Sequence, residues 1–336
     1  MTAMPPTTGH LQLIQFADLL CKGGVEVIVS TQPDEPFVFE RVAALKDATK
    51  ALPRVHVRHM HKTLEQDPDA PGFWGMWRDL MSGFGITKDD YVIASEPYGK
   101  RVAELSGSQF FPYDIDRTIN PVKATPIRED PYHHFGDIIP EFQRYLKTRV
   151  TIFGAESTGK TTLSRDLAQE LNASTLFEYA RPYLERTSNE ITPRSMTAIW
   201  EGQAALQRHA DNLHDKPYVI QHTDLFSTVG YWHFPHWQQE LGRCPQGLID
   251  DAIALQSDLY LITQSNIPFE QDPLRYGGDK REGSDEYWIN ICKQFKLPYR
   301  VLRSPDRRER LDEALALIHT TADRKTAPLH YDRHGH

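Results

Sequence analysis

Lys160 and Thr161 close the run Gly154-Ala155-Glu156-Ser157-Thr158-Gly159-Lys160-Thr161-Thr162. Gly-x-x-x-x-Gly-Lys-Thr is the Walker A spacing for holding the phosphates of a nucleoside triphosphate. Its glycines let the backbone turn tightly enough for successive N–H groups to face one anion. The Lys160 amine is placed to reach the β- and γ-phosphates, and the Thr161 hydroxyl to ligate Mg²⁺. The whole run 154–162 is therefore expected to bind ATP, with Mg²⁺ as its companion.

The flanks supply what that chemistry needs. Arg149-Val150-Thr151-Ile152-Phe153 is apolar and β-branched and predicts a strand. Leu163, Leu167 and Leu171 recur at helical spacing and predict the helix that follows. A helix start behind the loop adds unpaired donors and a positive dipole end. Further strands are expected at 174–177, 218–224, 258–263 and 299–302, with a helix through Ile199 and Leu206. Five strands alternating with helices predict a P-loop kinase core. The strand at 218–224 ends in Asp224, a carboxylate placed like a Walker B acid to hold Mg²⁺ directly or through water. Between the last two strands, residues 271–283 are polar, basic and glycine-hinged. That composition suits a lid, and Arg275 and Arg281 are its phosphate-facing cations.

The first half also alternates. A helix from Leu11 stops at Gly23-Gly24; strands are expected at 25–30, 54–58 and 91–95, with helices at about 38–52 and 73–81. This is the pattern of a parallel sheet with crossover helices. Residues 138–146 predict a short helical connector.

Composition bounds the partners. The 336 residues carry 38 Lys and Arg against 46 Asp and Glu, a formal net charge of −8. A duplex nucleic-acid binder would be expected to carry a basic footprint instead. The three cysteines, Cys21, Cys244 and Cys292, lie far apart, so neither a zinc knuckle nor a disulfide framework is indicated. No apolar run reaches membrane-spanning length and no leader pattern is visible, which points to the cytoplasm. The sequence leaves monomer and homo-oligomer both open.

Thr7-Thr8-Gly9-His10 at the start of the first helix resembles the (His/Thr)-x-Gly-His motif of the nucleotidyltransferase α/β phosphodiesterase superfamily. The resemblance implies that Thr7 and His10 hold the triphosphate of ATP while a phosphate attacks its α-phosphorus and pyrophosphate leaves. Val122-Lys123-Ala124-Thr125-Pro126-Ile127-Arg128 is similar to the Ile-Ser-x-Thr-x-x-Arg motif of these enzymes, with Lys123 in place of the serine. It implies that Thr125 and Arg128 meet the phosphates from the other side. Ser95 and Glu96, just past a strand, join this set. Trp74 and Trp77 match aromatic rings that stack on nicotinamide in such adenylyltransferases. Family members carry a strand before the motif; here only Met1–Met4 precede it, so that strand is expected to be absent or a stub.

Gly-Ala-Glu-Ser-Thr-Gly-Lys-Thr, Phe-Glu-Tyr-Ala-Arg-Pro-Tyr-Leu-Glu, Thr-Asp-Leu-Phe and Leu-Arg-Tyr-Gly-Gly-Asp resemble the ribosylnicotinamide kinase half of the bifunctional NadR proteins. Because the first half resembles the adenylyltransferase domain of the same proteins, in the same order, the resemblance covers nearly the whole chain. It implies that Glu178 accepts the hydroxyl proton or holds the ribose, and that Arg181 neutralises developing charge. Some NadR proteins carry an N-terminal helix-turn-helix that represses transcription; that role is expected to be missing here.

The reading is an α/β chain of two domains. Residues 1–130 form a Rossmann-like nucleotidyltransferase domain, 131–148 a connector, 149–325 a P-loop ribosylnicotinamide kinase and 326–336 a tail. The expected function is NAD salvage: phosphorylation of nicotinamide riboside to nicotinamide mononucleotide (NMN), then adenylylation of NMN to NAD. The alternatives are a nucleotide-sensing P-loop protein with an inactive first domain, and a kinase for another nucleoside.

Overall fold

The strand expected before the phosphate loop forms as β5 (Thr148–Phe153) and lies at the centre of a five-stranded sheet. Its neighbours are β6 (Ser174–Leu176), β7 (Tyr218–Gln221), β8 (Leu259–Thr263) and β9 (Tyr299–Leu302). The order is β6-β7-β5-β8-β9 and every pairing is parallel. Such strands read as continuous apolar runs because helices cover both faces.

One face is packed by α7 (Lys160–Glu170) and α14 (Arg307–Thr326). There Val150, Ile152, Ile220, Leu259 and Leu261 meet Leu163, Leu167, Leu311 and Ile318. The other face is packed by α9 (Pro193–His209), α10 (Leu225–His233), α12 (Gln246–Ala254) and α13 (Ser284–Gln294). Phe153, Tyr260 and Ile262 meet Ile199, Phe226, Leu248 and Trp288 there. Two short helices, α8 (Ala180–Arg186) and α11 (Pro235–Leu241), complete this unit, which spans Leu146–Lys325. The computed structural model describes residues 1–331 apart from 66, 68, 188–189, 214–215 and 271–282. Arg275 and Arg281 of the expected lid lie outside the described residues.

The other unit comprises Met1–Tyr145 with the chain from Thr326 on. It contains α1 (Thr8–Leu20), α2 (Val38–Thr49), α3 (Phe73–Gly83), α4 (Tyr98–Ser106), α5 (Ala124–Glu129) and α6 (Pro140–Leu146), whose last residue crosses the division. Its strands form two parallel pairs, β1 (Val25–Thr31) with β2 (Val55–His61) and β3 (Tyr91–Ala94) with β4 (Gln109–Pro112). β4 is missing from the expected elements because four residues between Gly107 and Pro112 carry no readable alternation.

Met1 lies along the second edge of β1: its ammonium donates to the Ile28 carbonyl at 2.7 Å and its carbonyl accepts from Ser30 N–H at 2.9 Å. Two boundaries differ from expectation. Residues 131–145 group with the first unit, pinned where Ile139 N–H donates to the Pro6 carbonyl. Residues 326–331 are not a loose tail: Leu329 is fully buried and its turn packs against α5, because an apolar side chain there finds cover. Among the described residues no helix is long and apolar enough to cross a membrane.

The first unit buries one ion pair completely. Arg41 Nη2 meets Glu35 Oε2 at 2.6 Å, with both side chains 0% exposed. Arg41 Nη1 donates to the Thr2 carbonyl at 2.9 Å and Nε to the Phe37 carbonyl at 3.2 Å. Arg41→Met strands a carboxylate in the core, and chemical denaturation should show a loss of about 3–5 kcal/mol. Adding Glu35→Leu should recover most of that loss.

Candidate functional site: two phosphate-binding constellations

The phosphate loop leaves β5 at Gly154 and enters α7 at Lys160. Two positions there demand glycine. Gly154 has φ +143°, and a Cβ would stand 2.5 Å from both the Thr263 carbonyl and its hydroxyl. Gly159 has φ +84°, and a Cβ would meet the Arg310 guanidinium at 3.1 Å.

Side chains hold the carbonyls along this stretch and so fix the peptide planes whose N–H groups would meet an anion. Thr263 Oγ1 donates to the Phe153 carbonyl at 3.1 Å. Thr158 Oγ1 bonds the Ala155 carbonyl at 2.9 Å and lies 2.7 Å from Thr263 Oγ1. Arg310 Nη1 bonds the Thr158 carbonyl at 2.8 Å. Lys160 Nζ donates to the Gly154 and Ala155 carbonyls at 2.9 and 2.6 Å, so these two carbonyls face the lysine. Ser157 Oγ accepts Glu270 N–H at 2.8 Å, so the chain entering the 271–282 stretch starts at the loop.

Thr161 is exposed on the first turn of α7, where its hydroxyl is free to approach a cation on bound phosphates. That fits Mg²⁺. Asp224, expected to share the ion, is otherwise engaged. It is 1% exposed. Its Oδ1 caps α10 by accepting Phe226 N–H at 2.9 Å, and its Oδ2 accepts the Tyr260 hydroxyl at 2.7 Å. Burial pushes its carboxyl up to about 7, against the hydrogen bonds it accepts. The sequence signal was an acid at a strand end, and an N-cap acid gives the same signal.

His222 is the residue that motif reasoning missed. It follows β7 directly, and its main chain donates to the Leu176 carbonyl at 3.1 Å. Burial, then the charges of Lys160, Arg181 and Arg165, hold its pKa down at about 4, so the ring is neutral at pH 7. Gln203 of α9 ties the neighbouring segments together, accepting Tyr179 N–H at 3.1 Å and donating to the Thr223 carbonyl at 3.3 Å. Glu178 and His222, the residues just before each tie, are both half-buried. Arg181 leans towards Glu185 at 3.4 Å on α8.

In the first unit Thr7 caps α1. Its Oγ1 accepts His10 N–H at 3.3 Å, and His10 Nδ1 accepts Thr7 N–H at 3.0 Å. A backbone N–H can only donate, so Nδ1 carries the lone pair and the neutral ring keeps its proton on Nε2. Burial, the N-terminal ammonium and Arg117 hold His10 at about 4. The spacing Thr-x-x-His is thus a capping box that fixes a tautomer with its donor on Nε2.

Arg128 donates to the Met4 carbonyl and to Thr125 Oγ1, both at 3.1 Å, which brings Thr125 and Arg128 to the start of α1. Glu96 pairs with Arg117, and Ser95 precedes it just beyond β3. Asn120 donates to Gln12 at 2.6 Å, beside Gly9. Arg117, Asn120 and Gln12 carry no motif and were not expected. Trp74 meets Phe73 edge-on at 5.0 Å and lies under Arg101 at 5.9 Å; Trp77 tilts against Phe73 at 6.3 Å.

Known proteins share this fold. The family described as AAA domain matches residues 149–310. The trifunctional NAD biosynthesis/regulator protein NadR of Salmonella typhimurium is 24% identical over 328 residues, which is 90% of this chain and 77% of that protein. A crystal structure of NadR protein in complex with NR superposes with TM-score 0.67 and 24% identity, covering 96% of this chain and 94% of that one. A second, of NadR protein in complex with NAD and AMP-PNP, gives TM-score 0.63 and 24% identity over the same shares. In sequence and in fold, the chain is similar to the NadR proteins along nearly its whole length.

Proposed function

We propose that the chain is an enzyme of NAD salvage with two transferase sites, one in each unit. The observation that carries this is a phosphate loop braced by Thr158, Thr263 and Arg310, in a chain similar to NadR proteins through both halves.

In the second unit the 5′-hydroxyl oxygen of nicotinamide riboside attacks the γ-phosphorus of ATP. The new P–O bond forms as the bond to the β–γ bridging oxygen breaks, and ADP leaves. Loop amides and Lys160 bind the β- and γ-phosphates, and Arg181 meets charge on the moving group. Thr161 would hold Mg²⁺, which when bound neutralises phosphate charge. The hydroxyl proton goes to Glu178 or to the neutral imidazole of His222.

In the first unit a phosphate oxygen of NMN attacks the α-phosphorus of a second ATP, and pyrophosphate leaves as NAD forms. His10 offers its Nε2–H to the phosphate group, with Thr7 fixing the ring. Arg117, Arg128 and Thr125 supply charge and hydrogen bonds, Ser95 and Glu96 border the site, and Trp74 and Trp77 stack on the nicotinamide ring. No proton transfer is required; positioning and charge stabilisation supply the rate.

Chromatography of products from riboside and ATP tests both halves at once. Lys160→Ala should lower riboside phosphorylation by about 10²–10³-fold and leave NMN adenylylation intact. His10→Ala should do the reverse, cutting pyrophosphate release from NMN and ATP. Because His10 titrates near 4, that loss should be the same at pH 6, 7 and 8. Wild-type protein that makes neither product would remove the reading.

A further inference from the structure

We infer that Arg310, outside every phosphate motif, is the positioning residue that keeps the phosphate loop in its anion-binding shape. This deepens the phosphate-loop reading of the second unit and rests on it.

Arg310 sits on the first turn of α14 and is only 5% exposed. Its guanidinium spans three loops at the C-terminal end of the sheet. Nε and Nη2 donate to the Ser304 carbonyl at 3.0 and 2.8 Å, on the loop after β9. Nη2 also donates to Asn266 Oδ1 at 3.2 Å, on the loop after β8. Nη1 donates to the Thr158 carbonyl at 2.8 Å, in the phosphate loop itself. Asn266 is in turn held by donating to the Arg303 carbonyl at 2.7 Å. All three acceptors of the guanidinium, the Ser304 and Thr158 carbonyls and Asn266 Oδ1, are neutral oxygens.

The bond to Thr158 matters because a trans peptide is planar. The Thr158 carbonyl and the Gly159 N–H belong to one plane and point to opposite sides. Holding the carbonyl against Arg310 therefore fixes the N–H on the other side. Without that bond, glycine at 159 lets the plane rotate and bring a carbonyl oxygen to face the phosphates. The fork geometry is essential: one end grips Ser304 while the other reaches Thr158, which a single ammonium cannot do. The buried positive charge beneath the loop adds to the field a polyphosphate meets. The same contact gives Gly159 a second reason to lack a Cβ.

The test is steady-state kinetics of riboside phosphorylation by the full chain. Arg310→Met and Arg310→Lys should each raise KM for ATP about 10–100-fold, the loss of one charge-assisted hydrogen bond. KM for the riboside should stay within twofold of wild type, a split that general loosening of the fold would not give. Unchanged KM for ATP, or an equal rise in both constants, overturns the inference. Hydrogen exchange on the wild-type protein gives a reading that needs no variant. Adding AMP-PNP should slow exchange over 304–310 as well as 154–162; protection confined to the loop also overturns it. Wild type that binds no AMP-PNP would instead remove the phosphate-loop reading itself.

Discussion

Every peptide unit that offers an N–H to a phosphate carries a carbonyl that would repel it. The second unit depends on resolving that conflict before a nucleotide arrives. Thr263 holds the carbonyl of Phe153 at the end of β5, and Thr158 and Arg310 each hold a loop carbonyl, so the N–H groups opposite them keep their direction without help from the ligand. The supports come from β8, the loop itself and α14, elements far apart in sequence. Their convergence explains why β5 is central: strands on both sides bring their C-terminal ends to the loop. Beneath it, Thr151, Gln221, Ser257 and Tyr260 form a buried polar network that ends on Asp224. That network fastens β5, β7 and β8 to one another below the apolar layer.

Both units also keep a histidine uncharged in surroundings rich in cations. His10 and His222 are buried enough, and close enough to positive groups, that protonation is disfavoured until about pH 4. A neutral imidazole can donate one proton or accept one, and does not compete with cations for phosphate. In His10 the choice is made by Thr7, whose N–H occupies Nδ1.

The fold class was legible because buried parallel strands are continuous apolar runs, and the phosphate loop because its glycines are forced by local geometry. Gly154 and Gly159 could be read from spacing alone. What holds them could not. Arg310 lies 152 residues from Thr158, and nothing in Arg-Arg-Glu-Arg marks the fourth residue as buried. The partners of Asp224 were hidden for a related reason: a strand-end acid and a helix-capping acid look alike until the partners of each oxygen are known. β4 escaped because four residues carry no period, and residues 326–331 because burial of a single leucine leaves no pattern.

The first unit shows how a site can be fixed by a segment with no regular structure of its own. Residues 1–6 run in front of α1 with their main chain gripped at successive points. Met1 pairs with β1, the Thr2 carbonyl accepts from Arg41, the Met4 carbonyl from Arg128 and the Pro6 carbonyl from Ile139. Ala3 and Met4 are buried beside these contacts. The strap therefore delivers Thr7 to the start of α1 at a set position, and Thr7 sets the tautomer of His10. Two of the grips come from arginines, one sealed in the core against Glu35 and one bonded to Thr125. Stability of the unit and alignment of its site are consequently the same property, because the main chain that closes the core is the main chain that aims the histidine.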